Sequence, residues 1–193
     1  MIDGGLRANR SLPVREALAL GSHIDPRLSR AASVLALKKV EVRCWSKSDW
    51  RPTLDEWNAY TGSTGDIVGF VNGTSRINIE PSYCADLSRF VYDRWRPKQQ
   101  SQALLDAADA VDLLAHESQH LFNARGDEAE TECHGLQDVR RLAVLLGASK
   151  AYAERLARDD WRFLYPARPP DYRTPECGPN RLFDMQPETP AFP

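Results

Sequence analysis

At 193 residues, 42% of them apolar, the chain is long enough to bury one core and too short for two substantial ones. Its formal net charge of −2 comes from interleaved acidic and basic side chains, which excludes the basic footprint of a nucleic-acid binder, and no apolar run is long enough for a membrane span. No internal repeat is visible, so a single domain over residues 1–193 is expected, with a Pro-rich tail over 166–193.

One or two helices are expected first, over residues 14–20 and from 26 to about 36, with His23 in a loop between them and without a role. Val40, Val42 and Cys44 then alternate with Glu41 and Arg43, the two-residue period of a half-buried strand. Trp45, Trp50 and Trp57 follow in a stretch rich in turn formers; they could line a substrate groove, but read more simply as aromatic anchors under a long loop. Residues 66–71 and 76–79 read as two strands joined at Asn72-Gly73, because Asn-Gly supplies the positive φ of a tight hairpin turn. The expected class is therefore α+β, a small N-terminal sheet with a hairpin packed on a helical half.

The helical half carries the chemistry. Leu104, Leu105, Ala108, Val111, Leu114, Ala115, Ser118 and Phe122 recur at steps of three and four, one buried stripe of a long helix. Beside that stripe lies His116-Glu117-Ser118-Gln119-His120, an H-E-x-x-H motif. Residues four apart share a helix face, so both imidazoles can reach one divalent metal with Glu117 next to them. The helix breaks at residues 123–126, where Gly126 is expected to take the left-handed conformation. A second helix is expected from Asp127 to about Leu146, closed by Gly147, and acidic in its first turn as the dipole favours.

A zinc centre with two histidines needs a third protein ligand and an open position. At about 100° per residue, Glu128, Thr131, Glu132 and Gly135 share one face of the second helix, while Glu130 and His134 point elsewhere. Glu128 and Glu132 are the pair to consider, with Asp127, Glu130 and His134 as alternatives.

Over residues 112–136 the chain resembles the zincin metallopeptidases, and among them the gluzincins, which place H-E-x-x-H on one helix and a ligand Glu on the next. Glu128-Ala129-Glu130-Thr131-Glu132 fits their E-x-x-x-[DE] pattern. The resemblance implies His116, His120 and Glu128 as zinc ligands, Glu117 as general base, and Glu132 as the acceptor that orients a histidine. The eight-residue step from His120 to Glu128 is shorter than in the better-known gluzincins and demands a tight connection. The resemblance also implies a sheet whose edge strand pairs with an extended substrate; residues 77–80, ending at Pro81, are the candidate edge.

The chemistry of these parts is hydrolysis of a peptide or amide bond in a peptide or protein substrate, with Zn2+ activating a water and Glu117 moving its proton. The alternatives are a metal-binding but catalytically silent module, and a structural helical domain with a fortuitous motif. Tyr165, Tyr172 and Arg173 in the Pro-rich segment, which could fold back across the cleft, are candidates to stabilise the oxyanion, but packing of the rings on the surface is the expectation. Cys44, Cys84, Cys133 and Cys177 contain no C-x-x-C pair, and their even number permits two disulfides. Cys133 with Cys177 would pin the tail over the cleft. The first forty residues lack the apolar core of a signal peptide, so a cytoplasmic protein is expected, or a secreted one if the chain lacks its export segment.

Overall fold

The computed structural model describes residues 21–61, 67–73, 75–97, 101–124, 126–188 and 192–193. The helix expected over residues 14–20 lies outside them, as do Asp66 and Arg125. The fold is α+β. Strands β1 (His23–Ile24), β2 (Glu41–Cys44), β3 (Gly69–Asn72) and β4 (Arg76–Ile79) form one sheet in the order β1-β2-β4-β3. The β2–β4 pair is parallel and the other two are antiparallel. Val42 and Cys44 are buried while Glu41 and Arg43 are half-exposed, as the alternation required. Asn72 faces Arg76 across the hairpin, and Gly73 takes φ +64°, the left-handed conformation that tight turns demand.

The expected edge strand is misplaced. Residues 77–79 belong to β4, which is paired on both sides, and the strand beside the helical half is β3, bonded only to β4 among the described residues. Pro81 does not merely end a strand. It is the first residue of a helix, and the Glu80 carboxylate caps it by accepting from the Ser82 and Tyr83 backbone N–H groups.

Six α-helices accompany the sheet among the described residues: α1 (Pro26–Leu35), α2 (Lys47–Thr61), α3 (Pro81–Tyr92), α4 (Gln102–Phe122), α5 (Glu128–Leu145) and α6 (Lys150–Asp159). Where a long loop was expected, α2 runs from Lys47 with Pro52 in its second turn; it brings Trp57 onto Phe70 of β3, stacked at 4.4 Å. The α4 helix crosses the molecule as its central element, with Leu104, Ala108, Val111, Leu114 and Ala115 buried. Its stripe differs from expectation at the C-terminal end, where Leu121 is buried and Phe122 is 54% exposed. Gly147 follows α5 at φ +93°, in the closing role expected of it.

After α6 the chain makes a π-helical turn (Asp160–Leu164) and two 3-10 turns (Tyr165–Ala167 and Pro170–Tyr172) that bring the tail back along α5. Disulfides Cys44–Cys84 and Cys133–Cys177 tie β2 to α3 and α5 to that tail. No helix among the described residues is long and apolar enough to cross a membrane.

Candidate metal centre

The site is built where α4 and α5 touch. Gly135 makes this possible: a Cβ there would lie 2.8 Å from the Cα and 2.9 Å from the backbone nitrogen of His116, so the helices meet backbone to backbone. Gly135 shares its helix face with Glu128 and Glu132, and the close approach lowers both carboxylates onto the histidines. The connection is tight, as required. Asn123 caps α4 through its N–H to the Gln119 carbonyl, its side chain donates to Glu130, and Asp127 caps α5 by accepting from the Glu130 N–H. Gly126 does not adopt the left-handed conformation; its lack of a side chain serves space, because a Cβ would meet Thr131 Oγ1 at 3.1 Å and Asn123 Nδ2 at 3.3 Å.

One Glu128 oxygen lies 3.2 Å from His116 Nε2 and 3.3 Å from His120 Nε2. Donors on a tetrahedron about 2.1 Å from a metal are about 3.4 Å apart, so these spacings fit one ion. Neither ring is aligned to hydrogen-bond that oxygen, which is buried without a hydrogen-bond partner. Two imidazole nitrogens and a carboxylate oxygen, all within 4.8 Å of one another, are donors of the types that could hold a divalent metal ion.

Glu132 sits behind His116. Its Oε2 is 2.8 Å from His116 Nδ1, an arrangement that in the neutral ring has Nδ1–H donate and leaves the Nε2 lone pair facing Glu128 and His120. Burial alone would push the His116 imidazole down, yet the Glu128 and Glu132 carboxylates outweigh it, and in the metal-free protein the ring is raised to about 10. Glu117 is 4% exposed, and its Oε2 has no hydrogen-bond partner; burial raises its carboxyl, opposed by His116 and His120. Strand β3 presses on it, since a Cβ on Gly69 would be 3.0 Å from Glu117 Oε1. All five expected site residues therefore converge. The alternative ligands do not: Asp127 and Glu130 serve the helix junction, and His134 packs edge-on against Phe183.

Two residues of the tail border the site: Tyr172, a candidate set aside in favour of surface packing, and Arg168, which was not foreseen. The Tyr172 ring stacks on His116 with centroids 5.6 Å apart, and burial, then Glu128 and Glu117, hold its phenol protonated. Arg168 reaches Glu132 Oε1 through Nε (2.7 Å), Asp109 through Nη1 (2.7 Å) and Asp112 through Nη2 (2.6 Å). Glu132 thus spans His116 and Arg168, one oxygen to each. Asp112 and Asp160, each 1% exposed, sit in the same acidic group; burial, then Glu132, pushes Asp112 up to about 8, and burial, then Asp112, raises Asp160. The available signal was Cys133–Cys177, which returns the tail to α5. Arg173 stays away, donating to the Pro166 carbonyl, and Tyr165 is buried beside the disulfide.

Cavities open on both sides of Glu117. One of about 430 Å3 is walled by Trp57, Phe70, Val71 and His120; the other, of about 480 Å3, by Tyr83, Asp109, Asp112 and Arg168. His116, Glu117, Gly69 and Tyr172 border both. No family model, no curated protein and no solved structure matches this chain.

Proposed function

We propose that the protein is a zinc-dependent peptidase of the zincin type, with His116, His120 and Glu128 holding the metal. The observation that carries this reading is the buried Glu117 carboxylate, with an unpartnered oxygen, set between two cavities and beside the three converging donors. A site kept only for a metal has no use for such a base. Zinc, when bound, supplies polarisation of a carbonyl and lowers the pKa of a water towards about 7. Glu117 accepts the proton of the attacking water and returns it to the leaving amine. Glu132 holds His116 in the tautomer that leaves Nε2 free, and Tyr172, protonated and bordering both cavities, is the phenol available to the developing oxyanion.

An extended substrate adds to β3, whose outer side carries no strand among the described residues, and so passes Gly69 opposite Glu117. The two disulfides support the secreted alternative for the protein's location, since such bonds persist in oxidising compartments.

The test is metal analysis followed by peptide-library cleavage. Wild type is expected to carry about one equivalent of zinc, His116→Ala, His120→Ala and Glu128→Ala less than about a tenth. Glu117→Gln should keep its zinc and lose cleavage by at least about a hundredfold. Wild type free of zinc after growth with the metal, or cleavage that survives Glu117→Gln, would overturn the proposal.

A further inference from the structure

The outer edge of β3 has a register that two cross-strand bonds fix. The Val68 carbonyl accepts from the Glu80 N–H at 2.9 Å, so residues 68, 70 and 72 turn their backbone groups towards β4. The Ile79 carbonyl accepts from the Trp45 N–H at 3.3 Å, so Ile79 turns towards β2, and Gly69, which it opposes, stays out of the β3–β4 ladder. Gly69 and Val71 therefore hold their N–H and C=O groups outwards, on the side where no strand pairs with β3 among the described residues. Side chains alternate in the same way. A Cβ on Gly69 would point at Glu117 and Leu113 of α4, so Phe70 faces the opposite side, where Trp57 stacks on it at 4.4 Å. Tyr60, 85% exposed, lies against Trp57 at 6.1 Å, and the rings carry an aromatic surface from the strand out to solvent. Directly opposed residues of a sheet share a face, whichever way the strands run. A residue added opposite Phe70 thus meets this aromatic side.

We infer that Trp57 and Phe70 select an aromatic side chain at the substrate residue opposite Phe70, the neighbour of the residue that passes Gly69 and Glu117. The inference rests on the peptidase reading and names its specificity. Trp57, Phe70, Gly69 and Glu117 border one cavity with His120 and Glu128, so a peptide lying on the aromatic surface is continuous with the proposed metal donors. Phe70 is only 6% exposed, which leaves the half-exposed Trp57 as the ring that the substrate meets. Aromatic pairs gain from ring geometry beyond the area they bury, so a ring is favoured over an aliphatic chain.

The experiment reads side chain and backbone separately. Short Ala-rich peptides carrying one Tyr or one Leu at successive positions are titrated onto Glu117→Gln protein with zinc supplied, and the same peptides are offered to wild type. At one position the Tyr peptide is expected to bind at least about fivefold tighter than the Leu peptide, and in cleaved peptides the ring falls within two residues of the cut. Trp57→Leu should at least halve that ratio, whereas Trp57→Phe, which keeps a ring, should hold it. N-methylation of the peptide backbone should weaken binding about fivefold at alternate residues around the ring and spare those between, because only every second N–H meets β3. The methylated peptides need no change at Trp57, so they decide the matter even where Trp57→Leu does not fold. A Tyr-to-Leu ratio below about fivefold at every position overturns the inference. So does a ratio that folded Trp57→Leu leaves intact, or a methylation profile without alternation. Cleavage by wild type without aromatic preference leaves the peptidase standing and removes the subsite. Aromatic preference in binding without any cleavage keeps the subsite and removes the peptidase.

Discussion

At the scale of single residues the proposed centre sets protons against the metal it would hold. Without metal, His116 is raised to about 10 by the carboxylates that face it, so at neutral pH the ring is charged and hydrogen-bonded. A raised histidine contributes to the stability of the metal-free fold fully below its unfolded value of about 6.5, and that contribution is lost as pH climbs towards 10. Zinc accepts only the neutral ring. Binding at pH 7 should therefore expel about one proton from His116, and calorimetry in two buffers of different ionisation enthalpy reads it directly. Proton release near zero would show that His116 is neutral before the metal arrives. In the same experiment, affinity should rise with pH between 6 and 9, as the competing proton is lost.

At the scale of elements, the decisive contact is that of α4 with α5. A methyl group on Gly135 would strike backbone atoms of His116, which cannot move aside as a flexible side chain does. Gly135→Ala gains about 1 kcal/mol of helix propensity and loses about 1–3 kcal/mol to overpacking, and it drives Glu128 and Glu132 away from the histidines. It should lower the melting temperature of the metal-free protein and weaken zinc more than tenfold by competitive titration. Unchanged zinc affinity would show that the helices separate without loss. This pair of helices was legible in the sequence because its signals are local: a periodic stripe, an i, i+4 histidine pair, acidic residues after a break. Helix α2 was not legible, since Pro52 and a run of Ser, Thr and Asp around three tryptophans read as loop until Phe70 of β3 offers Trp57 a partner. The sheet edge was misread because pairing of β2 with β4, 35 residues apart at Glu41 and Arg76, leaves no local trace. Gly126 was read by its freedom of φ, when what marks it is tight space: a Cβ would press on the Thr131 and Asn123 side chains.

At the scale of the whole molecule, the tail closes the site and is fastened twice. The Cys133–Cys177 bridge closes a loop of 44 residues, a constraint on the unfolded chain of about 4 kcal/mol in the loop-entropy view. Arg168 is the second fastening, and its contacts lie 36 and 56 residues away at Glu132 and Asp112, which is why sequence reading passed over it. The two fastenings differ in what they reach. The disulfide anchors the chain beyond Tyr172, whereas Arg168 neutralises the carboxylate that orients His116. Replacing both cysteines with serine should therefore cost several kcal/mol in urea unfolding while leaving zinc affinity within a few-fold of wild type, provided the folded state is populated. Arg168→Met should destabilise by about 3 kcal/mol, because Asp109, Asp112, Glu132 and Asp160 then share a buried space with no cation. It should also weaken zinc by about ten- to a hundredfold, since Glu132 without its counterion takes up a proton more readily and ceases to accept from His116 Nδ1. Equal loss of zinc affinity in the serine variant and in Arg168→Met would mean that the tail acts only as a cover, with no charge relayed from Arg168 through Glu132 to the histidine.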